Sequence, residues 1–336
     1  LKLRQFDHRG QLLLAASTLL LLCLFKPHLT LPRPVFDWFI VVDITQSMNV
    51  RDYSADNTAI SRLEYAKKSI RAGLRELPCG SRVALGLFTE RNTMNTMRPL
   101  EVCAHFGALD AAVAAMDWRM AWAADSFIAH GVFNAIEQTP KLGADMRLLF
   151  ISDGQQAPPA NAKYLPPFSG KPAAVRGWLI GSGNTQPKAI PKLDDANNIR
   201  AYWSLEDVQR YGTFGMAETM SVLAMEQGTQ DRNAGHSAGA DLLGQAHLSA
   251  LDEPNLQRLA QTTGLDYLRL AQLQQLPQAM TASTMAVWRS ADTDLRPPLA
   301  LLAMLLLAAY FIPPAMLVWL QQNITFKKIL TLRRNK

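Results

Sequence analysis

The chain has 336 residues, 49% hydrophobic and 18% charged, a length that suits one large domain with additions or two small ones. That apolar content excludes disorder over most of the chain, and three cysteines exclude a disulfide-dense scaffold. The net charge of +6 lies in the tails: residues 1–32 hold four basic side chains against Asp7, and residues 297–336 hold five with no acid. The body between them is slightly acidic, which excludes a nucleic-acid binder.

The first apolar run, Leu12 to Phe25, follows a basic stretch. At about 1.5 Å per residue it is short for a hydrocarbon layer of ~30 Å, and an extension from Gly10 to Leu31 makes it long enough. No small-x-small cleavage site follows it, so the reading is an uncleaved anchor within an N-terminal tail spanning residues 1–32. Phe36–Val42 is a continuous apolar run ending at Asp43 and predicts a strand buried on both faces. Apolar residues at Leu63, Ala66, Ile70 and Leu74 predict a helix over Ser61–Leu77.

A hairpin is predicted next, with strand Arg82–Thr89, a turn at Glu90–Thr93 and strand Met94–Leu100. Cys79 and Cys103 flank it symmetrically, so antiparallel pairing sets them opposite each other, ready for a disulfide in an oxidising compartment. Helical patterns follow at His105–Met116 and Phe127–Gln138, then buried strands at Met146–Ile151 and Ala173–Ile180. A polar, Gly-rich stretch at about 211–246 has no periodicity and reads as an insertion. Asp252–Thr263 predicts a helix stopped by Gly264, and Asp266–Leu270 a strand. The alternation predicts a three-layer α/β domain over residues 33–290, with a mostly parallel sheet and helices on both faces.

The last apolar run, Pro297 to Leu320, holds 24 residues without a charge and predicts a transmembrane helix at 297–320, followed by a basic tail at 321–336. Basic residues lie before the first run and after the second. The positive-inside rule then puts both termini in the cytoplasm and the body in the periplasm of a Gram-negative bacterium, at the inner membrane.

The segment that carries chemistry is DITQSM, Asp43 to Met48, directly after the first buried strand. In an open α/β sheet ligands bind at the carboxyl ends of the strands. Asp43, Thr45 and Ser47 place three oxygen-bearing side chains on one strand-to-loop turn. Asp153 ends another strand, and Ser126 begins the helix after Ala123–Asp125. A set of hard oxygen ligands without His or Cys suits Mg²⁺ or Ca²⁺ and disfavours zinc. The local alternative is that Thr45 and Ser47 cap the next turn while Asp153 makes a loop hydrogen bond.

This pattern resembles the metal-ion-dependent adhesion site (MIDAS) of von Willebrand factor A (VWA) domains, D-x-S-x-S with a Thr from a second loop and an Asp from a third. The resemblance carries the ligand roles onto Asp43, Thr45, Ser47, Ser126 and Asp153, over a domain spanning roughly residues 36–285. Thr45 and Ser126 depart from the family residue but keep a hydroxyl, and Asp125 stands where the family has Gly. The resemblance implies a divalent cation with an open position that a partner protein's carboxylate fills.

The runs Phe36–Tyr53, Ser61–Lys67, Leu77–Glu90 and Met116–Phe127 are similar to the MxaL family of membrane VWA proteins. That likeness implies an accessory factor for methanol dehydrogenase, acting in calcium insertion. The alternative is a Bat-like envelope scaffold that works with a MoxR-type ATPase and has no metalloenzyme client.

Enzyme readings fit poorly. A haloacid-dehalogenase-type phosphatase needs D-x-D-x-T, and Thr45 supplies no general acid. No G-x-S-x-G elbow surrounds Ser47, Ser126 or Ser152, and His105, His130, His236 and His247 are scattered. The expectation is a protein that is not an enzyme. Trp118 and Trp122, just before Ser126, read as core packing or as an aromatic rim for a partner.

Overall fold

Seven consecutive buried residues, Asp37–Asp43, form strand β1 at the centre of the larger sheet. The computed structural model describes residues 8–55, 57–157, 166–211 and 247–311. Contacts divide the chain into two units, residues 33–289 and residues 1–32 with 290–336.

In the first unit, β1 is followed in chain order by β2 (Arg82–Thr89), β3 (Asn92–Glu101), β4 (Arg147–Ser152), β5 (Gly177–Gly181) and β6 (Asp266–Arg269). They form a six-stranded sheet of order β6-β5-β4-β1-β2-β3. All neighbours are parallel except the edge hairpin β2–β3. Strand β1 therefore feeds β2 on one side and lies beside β4 on the other, which makes its carboxyl end the topological switch point.

Alternation along β1 sends its side chains into two cores. Trp38, Ile40 and Val42 join one cluster with helices α1 (Arg62–Glu76), α2 (Phe106–Ala114) and, later in the chain, Gln275–Met280. Phe39 and Val41 join the other with α3 (Ile128–Leu142) and α4 (Glu253–Thr263). The result is a mixed α/β domain with a mostly parallel sheet between two helical layers, and every residue of β1 is buried. Helix α3 sits close on the sheet because Gly131 faces Phe88; a Cβ there would lie 2.1 Å from the Phe88 ring.

Boundaries shift where the backbone finds other partners. The hairpin turn is shorter than predicted, since pairing continues to Thr89–Asn92 and Glu90 takes a φ of 59°. Cys79 and Cys103 lie at its base, joined by a disulfide with Cα atoms 5.2 Å apart. The Glu101 carboxylate beside it accepts the Gly80 and Ala104 N–H groups, each at 2.6 Å. Ser126 does not begin a helix: its N–H donates to Ala157 O and its carbonyl accepts the Ala157 N–H, so α3 starts two residues later, after Phe127. Tyr211 ends a short helix, Leu205–Tyr211, and the rest of the predicted insertion, 212–246, lies outside the described residues.

The second unit contains helix His8–Leu24 and helix Arg296–Phe311, which pack on each other, with the Arg9 guanidinium 6.0 Å from the Tyr310 ring centroid. The extended span from Gly10 to Leu31 is corrected here. The helix stops at Leu24, Lys26 adopts a φ of 47° ahead of Pro27, and strand His28–Val35 follows, paired with strand Val287–Asp294. Proline disfavours the helical conformation for the residue before it and supplies no N–H to continue the helix. Among the described residues no helix is long and apolar enough to cross a membrane. Residues 312–320 of the second predicted span, and the basic tail, lie outside the described residues.

Candidate metal centre

Asp43 ends β1 in register with Phe88 on β2, and its neighbour Val42 pairs with Ile151 on β4, one residue before Ser152. The Asp43 side chain is fully buried. Its Oδ1 accepts the Thr45 N–H at 2.9 Å and the Thr45 hydroxyl at 2.7 Å, and its Oδ2 accepts the Ser152 hydroxyl at 2.7 Å. Thr45 Oγ1 lies 3.3 Å from Ser47 Oγ. Three of the predicted oxygens, from Asp43, Thr45 and Ser47, are thus gathered on one turn. Thr45 precedes the 3₁₀ turn Gln46–Asn49 but makes no side-chain cap to it, so its hydroxyl serves the carboxylate instead.

Ser126 is held at the same end of the sheet by a bridge to Glu90, the residue after β2. Its hydroxyl is buried and has no hydrogen-bond partner among the described residues. A buried polar atom left unpaired costs about 1–3 kcal/mol, so such an orphan at a ligand position calls for a missing donor or cation.

Asp153, at the end of β4, is fully buried and turned toward a cation. Its Oδ2 accepts Arg62 Nη1 at 2.7 Å and the Ser249 hydroxyl at 3.1 Å, and its Oδ1 accepts the Gln155 N–H at 3.0 Å. Gly154 follows with a φ of +75°, and a Cβ there would meet Leu256 at 2.5 Å, so the turn that aims Asp153 needs glycine. Burial, then the nearby Asp153 charge, pushes the Asp43 carboxyl up to about 7, against the lowering effect of its hydroxyl and amide donors. Two buried acids with the hydroxyls of Thr45 and Ser47, and an unsatisfied Ser126 hydroxyl at the same end of the sheet, make a donor set whose chemistry fits a hard divalent cation.

Sequence reasoning missed Arg62, Ser152 and Ser249. Ser152 was within reach, since it immediately precedes Asp153 on a strand beside β1. Trp122 is 44% exposed and donates its Nε1–H to Glu90, the residue bridged to Ser126, while Trp118 donates to Asn197. A cavity of about 310 Å³ adjoins the turn after Ser47, lined by Asn49, Arg51, Glu64, Asp117 and Trp118 among others.

No protein-family model matches the chain, and no curated protein is similar to it. Solved structures are. An aerotolerance-related membrane protein from Bacteroides fragilis shares 16% identity at a TM-score of 0.46, covering 73% of this chain and 96% of its own. The conserved hypothetical protein BatB from Bacteroides thetaiotaomicron shares 17% at 0.47, covering 74% and 98%. An uncharacterized membrane-spanning protein from Vibrio fischeri shares 14% at 0.27, covering 72% and 94%. At these TM-scores the likenesses carry no functional weight.

Proposed function

We propose that this chain is a VWA-type interaction module whose MIDAS-like centre binds Mg²⁺ or Ca²⁺ and captures a partner protein through a carboxylate. It does no covalent chemistry of its own. Asp43, Thr45, Ser47 and Ser126 hold the ion, with Asp153 as the second acid. Bound there, the ion supplies a Lewis-acidic position for one more oxygen ligand. The observation that carries the reading is the buried, partnerless Ser126 hydroxyl at the same sheet end as the Asp43–Thr45–Ser47 turn.

The charge pattern of the sequence supports an inner-membrane protein with the body in the periplasm and both termini cytoplasmic. The disulfide between Cys79 and Cys103 accords with that oxidising compartment. The role is that of a Bat-like envelope scaffold operating with a MoxR-type ATPase. A second reading, maturation of methanol dehydrogenase by calcium insertion, is favoured by the likeness of the four runs from Phe36 to Phe127 to the MxaL family.

The test uses the full chain in detergent. Mg²⁺ or Ca²⁺ raises the melting temperature of the wild type, by about 2.7 kcal/mol of added stability at a hundredfold excess over Kd. Asp43→Ala abolishes both that increment and metal-dependent capture of partners from membranes. Capture that is equal in Mg²⁺ and EDTA, or that survives Asp43→Ala, overturns the reading. Recovery of methanol dehydrogenase only in the presence of metal selects the second client.

A further inference from the structure

Arg62 opens α1 with its side chain completely enclosed, an unusual place for a guanidinium. Nη1 donates to Asp153 Oδ2 at 2.7 Å and to the Ser249 hydroxyl at 2.6 Å, and Nη2 donates to the Ser249 carbonyl at 3.2 Å. Nε and Nη2 reach Asp52 Oδ2 at 2.9 and 2.7 Å. Asp52 follows the turn that carries Ser47, Asp153 ends β4, and Ser249 lies in the short strand Leu248–Ser249. One side chain thus ties three segments to helix α1; one of them carries the candidate ligand Asp153 and another follows the turn of Ser47.

The charges there do not cancel. Asp43, Asp52 and Asp153 are all buried at the side chain, and Arg62 is the cation paired with two of them. Among the described residues Asp43 has only hydroxyl and amide donors, and Asp52 Oδ1 is buried with no hydrogen-bond partner. Asp252, which also feels the Asp153 charge, is only part-buried and has Arg258 nearby, so it stands outside this enclosed set. With the four enclosed groups ionised the net charge is −2, the charge that one divalent ion cancels. Buried charge without compensation is costly, so a matched count is what such a cluster needs.

We propose that Arg62 is a resident counter-cation of the metal centre: a positioning residue that holds Asp52 and Asp153 together and sets the cluster's charge to that of one divalent ion. The inference rests on the reading of the Asp43 turn as a divalent-cation site. Removal of Arg62 makes the net charge −3. The metal-free protein then carries three buried acids with no counter-cation, Asp52 and Asp153 having lost theirs, while a cation is drawn in more strongly. Loss of Asp52 has the opposite effect, because the net charge becomes −1 with the Arg62–Asp153 pair intact.

Calorimetric titration with MgCl₂ and melting curves in EDTA and in Mg²⁺, all on the full chain in detergent, read both effects. Arg62→Gln binds Mg²⁺ about tenfold tighter than wild type. It melts about 10 °C lower in EDTA and gains more from Mg²⁺ than wild type does. Asp52→Asn binds about tenfold more weakly. The double variant restores the count and returns close to wild-type affinity.

A purely structural role for Arg62 lowers the melting temperature equally with and without Mg²⁺ and leaves affinity unchanged or reduced; that result overturns the proposal. Should Arg62→Gln fail to fold, Asp52→Asn decides alone, and wild-type affinity in that variant is equally fatal. Wild-type protein that binds neither Mg²⁺ nor Ca²⁺ removes the divalent-site reading and this inference with it. Wild-type binding combined with a flat variant series removes only the role of Arg62.

Discussion

Strand β1 begins and ends with a buried aspartate, and the two are handled in opposite ways. Asp37, at the amino end, is met by two guanidinia: Arg82 Nη2 lies 2.7 Å from Oδ2 and Arg289 Nη2 2.6 Å. Burial disfavours its charge, but hydrogen bonds and attraction from Arg82 and Arg289 outweigh that and hold the carboxyl below its ordinary range. Asp43, at the carboxyl end, has no guanidinium of its own among the described residues; it faces hydroxyls and a second acid, and its carboxyl is pushed up. The same residue type, on the same strand with the same burial, is a closed ion pair at one end and an open charge at the other. Neutralisation is complete where the sheet only needs to be held, and incomplete where strand ends converge at the switch point.

The comparison breaks most visibly under Asp37→Ala. That change leaves Arg82 without its carboxylate and Arg289 with Asp145 alone, and costs about 3 kcal/mol, the low end for a disrupted buried pair because both arginines reach solvent. Denaturant unfolding measures it, and the loss is the same in EDTA and in Mg²⁺. A cation-dependent loss would show that the two ends are not independent.

A pH series in chelator sharpens the contrast. Asp37 has a lowered folded pKa, so its stabilisation is present above the unfolded value of about 3.9 and lost as pH falls through the folded value. Asp43 has a raised one, so its contribution is full below about 3.9 and lost as pH rises through about 7. Without metal the wild type therefore loses stability relative to Asp43→Asn between about pH 4 and 7, and relative to Asp37→Asn only at the acid end. Parallel curves across that range would refute the assignment.

The smallest effect is expected at Ser126. Its hydroxyl has no partner to lose among the described residues, so Ser126→Ala shifts metal-free stability by less than about 0.5 kcal/mol. Mg²⁺ affinity falls roughly fivefold in the same variant. A marked loss of stability in EDTA would mean that the hydroxyl is structural.

The two ends of β1 also differ in how far they could be read beforehand. Asp43, Thr45 and Ser47 sit within five residues after an apolar run, and a local spacing rule finds them. The strand His28–Val35 escaped because Pro32 and Pro34 argue against a strand except in an edge ribbon, and among the described residues this strand pairs only with Val287–Asp294. Arg62 escaped for a different reason. Within the pattern Ser61–Leu77 it occupies the first turn of an amphipathic helix, where an arginine reads as a solvated residue, yet it is fully buried.

What the amino-acid order determined alone was the set of buried strands and amphipathic helices and the cluster of oxygen side chains on one turn. Hydrophobic periodicity and short spacings are local properties of the chain. What only the tertiary structure decided was the pairing of charges: that Arg62 reaches Asp52, Asp153 and Ser249, that Asp37 meets Arg82 and Arg289, and that Ser126 is left without a partner. Electrostatic compensation depends on distances between segments tens to hundreds of residues apart, and those distances exist only once the sheet has been assembled.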